Sequence, residues 1–103
     1  MTPEKLTEIT TNIKNSGDVV LNKFRNTEQI ILANVNVNKA LADIQFELDT
    51  TYAQICTRPE NKDKPTAGIN RIYKSETAEL HRLKTIARGF KNTLRNMEYG
   101  SYK

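Results

Sequence analysis

Residues 31–44, ILANVNVNKALADI, carry two periods at once. Asn34-Val35-Asn36-Val37-Asn38 alternates polar and apolar, as a half-buried strand does. The surrounding residues repeat every three to four, as a helix does. Val37, Leu41, Ile44, Leu48, Tyr52 and Ile55 follow in steps of four, three, four, four and three, close to a heptad. The alternation lasts five residues and the helical repeat much longer, so the spacing predicts helix. Asn and Val each cost about half a kcal/mol relative to Ala inside a helix, little against the packing of a full stripe.

The helix containing this stretch is expected to run from about residue 18 to about residue 56, a span without proline or glycine. Val20, Phe24 and Ile31 make an earlier stripe. Ile30, Ile31 and Leu32 are consecutive, so the helix is apolar on more than one side there and should touch more than one neighbour. Asn34 falls in line with Ile30, and Asn38 continues the line of Ile31 and Val35. Two roles are open to these asparagines. They face water, or they sit in a seam, where a buried Asn costs stability but selects register and partner number.

Upstream, Thr2-Pro3-Glu4 is a strong helix start: a capping hydroxyl, a proline tolerated at the first position, and an acid at the positive end of the dipole. A short helix over about 3–15 follows, with Leu6, Ile9 and Ile13 on one face. Asn15-Ser16-Gly17-Asp18 either breaks it, with Asp18 capping the next helix, or only kinks it. Downstream, residues 57–68, TRPENKDKPTAG, hold two prolines, mixed charges and a glycine, and read as a reversing loop. The last helix starts either near Thr66, so that residue 69 onward is helical, or at Ser75, whose hydroxyl precedes two glutamates. It should end near residue 98, with Gly100 as a stop and 99–103 as a tail. Leu80, Leu83, Ala87, Phe90, Leu94 and Met97 give it a regular heptad stripe, which Tyr73 extends backwards.

These elements predict a single all-α domain: a short N-terminal helix plus an antiparallel hairpin of two long helices, a coiled-coil-like bundle. Composition agrees. The 103 residues include no tryptophan, four glycines and three prolines, too few turn residues for an all-β fold. Leu, Ile, Val and Phe number 24, so a core forms only if they are well placed. A hairpin leaves Val19, Leu21, Ile30 and Leu32 uncovered. Self-association into a dimer or larger bundle is the expected remedy, with Ile30, Ile31, Asn34, Val35 and Asn38 as the oligomer or partner interface.

Charge divides the chain. Residues 1–56 carry five Lys/Arg and seven Asp/Glu; residues 57–103 carry eleven and five. Between Leu80 and Met97 there is no acid at all. With Leu80 in the seam, Lys74, His81, Arg88 and Arg95 share one outer heptad position. Arg82 lies beside them, Lys84 and Lys91 flank the seam, and Arg71 continues the row backwards. Such a ridge, about 30 Å long by helix geometry, suits phosphates along a nucleic acid or an acidic protein surface. Arginine's planar fork favours bidentate phosphate contact. Asn92 and Asn96 add hydrogen-bonding groups, and Tyr73, Tyr99 and Tyr102 offer rings for bases. The plainer explanation is the solvated outer face that every amphipathic helix needs.

Catalytic chemistry has little to work with. His81 and Cys56 are single, and zinc sites want three or four such ligands. Glu76 and Glu79 do not give the Glu-x-x-His spacing of helical di-iron sites. No glycine-rich phosphate loop occurs. Neither catalytic residues, nor a metal, nor any other cofactor is expected. No apolar run approaches the roughly 20 residues that cross a bilayer, and MTPEKLTEIT lacks a basic leader followed by an apolar stretch. One cysteine cannot form an internal disulfide. A non-enzymatic, cytoplasmic, oligomeric protein that binds nucleic acid or another phosphate-rich ligand is the function these features favour. A helical adaptor, assembly factor or inhibitor docking a protein through its apolar seam is the alternative.

Overall fold

The computed structural model describes residues 1–22 and 25–101, side chains of 99–101 excepted. Phe24, Tyr102 and the ring of Tyr99, assigned above to a stripe and to base stacking, lie outside the described residues. Within them the chain forms α1 (Pro3–Leu21), α2 (Thr27–Thr57), a 3-10 turn at Pro59–Asn61, α3 (Thr66–Glu76) and α4 (Ala78–Ser101), with no strand. The fold is all-α, and the NVNVN stretch is helical throughout.

α1 starts as its sequence dictates: the Thr2 hydroxyl accepts the Lys5 N–H at 3.1 Å and Pro3 opens the helix. Of the two readings of Gly17, the continuous helix is the one adopted, and α1 passes the expected end near residue 15. It continues through Asn15-Ser16-Gly17-Asp18 to Leu21. Ser16 and Gly17 are buried as small residues at a close helix crossing. The Ser16 hydroxyl lies 2.8 Å from the Asn12 carbonyl of its own helix and 3.1 Å from the Ala33 carbonyl of α2. A Cβ on residue 17 would sit 2.8 Å from the Phe90 ring of α4. Glycine costs a helix interior about 1 kcal/mol relative to alanine; here it admits the ring. The true break comes later, at Asn22 and Asn26, both with extended backbone. Asn26, not Asp18, caps α2. Its side-chain oxygen accepts the Gln29 N–H at 2.8 Å, and the Gln29 side chain accepts the Asn26 N–H at 2.9 Å, a reciprocal capping box.

α2 spans 31 residues, about 46 Å at 1.5 Å per residue. Its buried line is Ile30, Ala33, Val37, Ala40, Ile44, Leu48 and Ile55. Two alanines thus sit where larger side chains would hold the helices apart. Leu41 lies at the edge of the core and Tyr52 is 39% exposed, so these two members of the expected stripe are not central. Asn61 is buried and its amide donates to the Ile55 carbonyl at 2.8 Å, satisfying one of the carbonyls a helix end leaves open. Arg58 clamps the reversal to the end of α3 with two 2.9 Å bonds to Glu76.

Of the two expected starts for the last helical segment, Thr66 is the one adopted. Ser75 caps nothing. The interruption falls at Thr77, whose backbone leaves helical values (φ −113°, ψ 12°) and whose buried hydroxyl donates to the Tyr73 carbonyl. Such back-bonding by threonine bends helices. Two backbone bonds still bridge the interruption, Thr77 N–H to Tyr73 at 3.0 Å and His81 N–H to Thr77 at 2.9 Å. α4 then runs through Gly100 rather than stopping before it.

α1 packs on both α2 and α4, and α3 covers the far end of α2. Ion pairs fix the direction of α1 against α2: Lys5 with Asp43 at 3.3 Å, Lys39 with Glu8 at 2.7 Å, and the Met1 amino group with Glu47 at 3.7 Å. Hydrogen bonding to Lys39 holds the Glu8 carboxyl below its usual range. The Lys39–Glu8 pair is exposed and adds little stability, whereas Glu47 is buried beside the Met1 amino group. One core results, from Ile9 and Ile13 of α1, the α2 line from Ile30 to Leu48, and Leu80, Leu83, Ala87 and Leu94 of α4. The molecule is a rod of 56 × 26 × 16 Å.

Candidate anion-binding groove

The heptad that buries Leu80, Leu83, Ala87 and Leu94 places Lys84, Arg88, Lys91 and Arg95 together on the flank of α4 that borders α2. Steps of four, three and four residues keep them on one face, over about 16 Å of helix. Opposite stand Leu41 and Gln45 of α2. With Asn92 these residues line an open groove of about 480 Å³.

Its electrostatics are one-sided. The Lys84 ammonium donates to the Gln45 side-chain oxygen at 3.0 Å, and the Gln45 amide donates in turn to Asp49 at 2.9 Å. A neutral amide therefore holds Lys84 in place without cancelling its charge. Among the described residues, no carboxylate oxygen comes within 4.0 Å of Lys84, Arg88, Lys91 or Arg95. Like charges three or four apart on a helix repel by about 0.2–0.5 kcal/mol per pair. Three such neighbours occur here: Lys84 with Arg88, Arg88 with Lys91, and Lys91 with Arg95. A plain solvated face is better served by mixed signs.

The other expected members of the cationic row stand apart. Arg82 is bound by Glu79 at 2.6 and 3.0 Å; this contact raises the guanidinium and lowers the carboxyl from their ordinary values. His81 is turned toward the α3–α4 junction. Its Nδ1 lies 3.0 Å from the Thr77 carbonyl, which places the neutral ring's proton on that nitrogen, and its ring meets Tyr73 edge-on at 5.6 Å. Arg71 and Lys74 are exposed on α3 and do not line the groove. Four of the eight assigned cations therefore converge, and the row is about half as long as expected because the helix is interrupted at Thr77. Tyr73 also contacts Tyr52 edge-on at 5.4 Å; burial first, and Asp49 second, raise its phenol above the usual value. It is engaged on both sides and is poorly placed to stack on a base.

The expected interface set also divides. Ile30 is 5% exposed and belongs to the core, so it offers no surface. Asn34 donates to Glu98 of α4 at 2.9 Å, within the chain. Asn38 is exposed, as are Ile31 (43%), Val35 (58%) and their neighbour Leu32 (60%). Gln45 was the groove residue that sequence alone did not single out. Its role depends on which α4 residue it faces, and no local pattern reports that.

Among the described residues, no group of three His, Cys, Asp or Glu side chains is placed to hold a metal ion, and no helix is long and apolar enough to cross a membrane. Cys56 is exposed at the end of α2. What the geometry defines is a helical bundle with a cationic groove on one flank. Comparison with protein-family models, with curated proteins and with solved structures returns no match.

Proposed function

We propose that the chain is a non-enzymatic binding protein that takes a phosphate-rich polyanion, nucleic acid first among them, in the groove between α2 and α4. One observation carries this reading: four cations converge on one groove and, among the described residues, no carboxylate oxygen lies within 4.0 Å of any of them. The mutual repulsion of the row is relieved when phosphates bind, so the unliganded state carries a cost that the ligand removes. Arg88 and Arg95 supply forked donors for phosphate oxygens, and Lys84 and Lys91 supply point charges. An intracellular setting suits both the ligand and a single free, exposed cysteine.

The test is a titration of a labelled oligonucleotide followed by fluorescence anisotropy, with a near-isosteric control. Gln45→Glu puts a carboxylate beside the Lys84 ammonium and neutralises one end of the row. Affinity should fall several-fold at low salt, and the dependence of log K on log salt should flatten by about 0.7–0.9, the loss of one phosphate contact. Binding that ignores both salt and this substitution contradicts the reading.

A second reading rests on the outer face of α2, where Ile31, Leu32 and Val35 are exposed together. The apolar seam itself is filled by the chain's own α1 and α4, so a protein partner or a second copy would have to use this face. Light scattering should then give more than one chain per particle at micromolar concentration, and Leu32→Lys with Val35→Lys should return it to one. A single chain at every concentration rules out self-association.

A further inference from the structure

The two walls of the groove differ in kind, and the difference bears on which polyanion fits. Resting on the function proposed above, we infer that the groove holds a single nucleic-acid strand, with its phosphates along α4 and its sugar-and-base edge against α2. Lys84, Arg88, Lys91 and Arg95 all belong to one wall; the facing residues, Leu41 and Gln45, carry no charge. A single strand has the matching asymmetry, ionic along one edge and uncharged along the other. Inorganic polyphosphate is charged on every side and would bring phosphate oxygens against Leu41, where their water is lost without a compensating donor. A duplex is a convex cylinder. It cannot enter a cleft between packed helices whose axes lie about 8–10 Å apart, and would touch only the rim.

The amide of Asn92, on the α4 wall, adds a neutral donor for a phosphate oxygen. Four phosphate contacts at about 0.7 each predict that a fourfold rise in salt weakens single-strand binding about fifty-fold.

The experiment compares three probes on the unmodified full chain by anisotropy and competition: a labelled single-stranded oligonucleotide, its duplex, and inorganic tripolyphosphate. The single strand should bind at least about ten-fold tighter than the duplex, and tripolyphosphate should compete weakly. Leu41→Gln, with helicity checked by circular dichroism, should weaken the single strand several-fold and, by supplying a donor, leave tripolyphosphate binding at least as tightly as before. A duplex or tripolyphosphate that binds as tightly as the single strand overturns the inference while leaving an anion-binding groove in place. Failure of all three probes to bind overturns the groove's proposed function along with it.

Discussion

Replacing Arg88 and Arg95 together with glutamate should abolish polyanion binding without loosening the fold. Two charge-assisted contacts are removed, each worth about 1.5–3 kcal/mol, so affinity should fall about a hundred-fold or more at low salt. The salt slope for a single strand should drop from about 3 to about 1.4, because two phosphate contacts remain in place of four. Both side chains are exposed, and neither has a carboxylate partner among the described residues. Each introduced carboxylate faces a retained lysine three or four positions away, so repulsions become attractions. Thermal denaturation should therefore give an unchanged or slightly raised midpoint. That combination separates a binding role from a structural one. If binding and helical content fall together, the arginines support the bundle; if binding survives, the groove is not the site.

The repulsion within the row has a further consequence. Natural chains sit just above the stability they need, and residues that lower stability without packing benefit mark places where something else is selected. Some charges elsewhere are paired: Arg58 meets both oxygens of Glu76, and Lys39 and Lys5 share Glu8. Others, such as Lys14, Arg71 and Lys74, have no acidic oxygen within 4.0 Å among the described residues. What sets the groove apart is that four such cations lie on one helix face and share one lining.

The helices and much of the core were legible because burial repeats at helical spacing. The α4 line of Leu80, Leu83, Ala87 and Leu94 is buried as its heptad predicts. The cations flanking it follow from the same repeat, which is why Lys84, Arg88, Lys91 and Arg95 were found as candidates. Three features were not legible, each for a tertiary reason. Gly17 and Ser16 resemble a break until a neighbouring ring and carbonyl are seen to need the space. Ala33 and Ala40 look neutral in any hydropathy pattern, yet they are wholly buried in the core that α1, α2 and α4 share. His81 and Arg82 share a surface with Arg88 by periodicity, but the interruption at Thr77 and the carboxylate of Glu79 give them local partners. The capping box at Asn26 was legible in principle, as Asn-x-x-Gln, and was hidden by the stronger-looking glycine upstream.

The two valines of the NVNVN stretch should respond in opposite directions when each is cut back to alanine. In a strand, Val35 and Val37 would point to the same face and lose comparable contacts. On a helix they lie about 200° apart. Val37 is fully buried between α2 and its neighbours, whereas Val35 is 58% exposed. Val37→Ala removes two buried methyl groups and leaves a cavity, and should cost about 2 kcal/mol, lowering the melting midpoint by roughly 8–16 °C for a domain of this size. Val35→Ala removes contacts with solvent and replaces a mediocre helix former with the best one, so it should leave stability unchanged or raise it by about half a kcal/mol. Denaturation curves for the two variants at low protein concentration decide the matter. Equal losses at both positions would mean that the period of two governs this stretch after all. A loss at Val35 that grows with protein concentration would instead locate it in an interface between chains, since only an associated state makes burial at the outer face of α2 depend on how much protein is present.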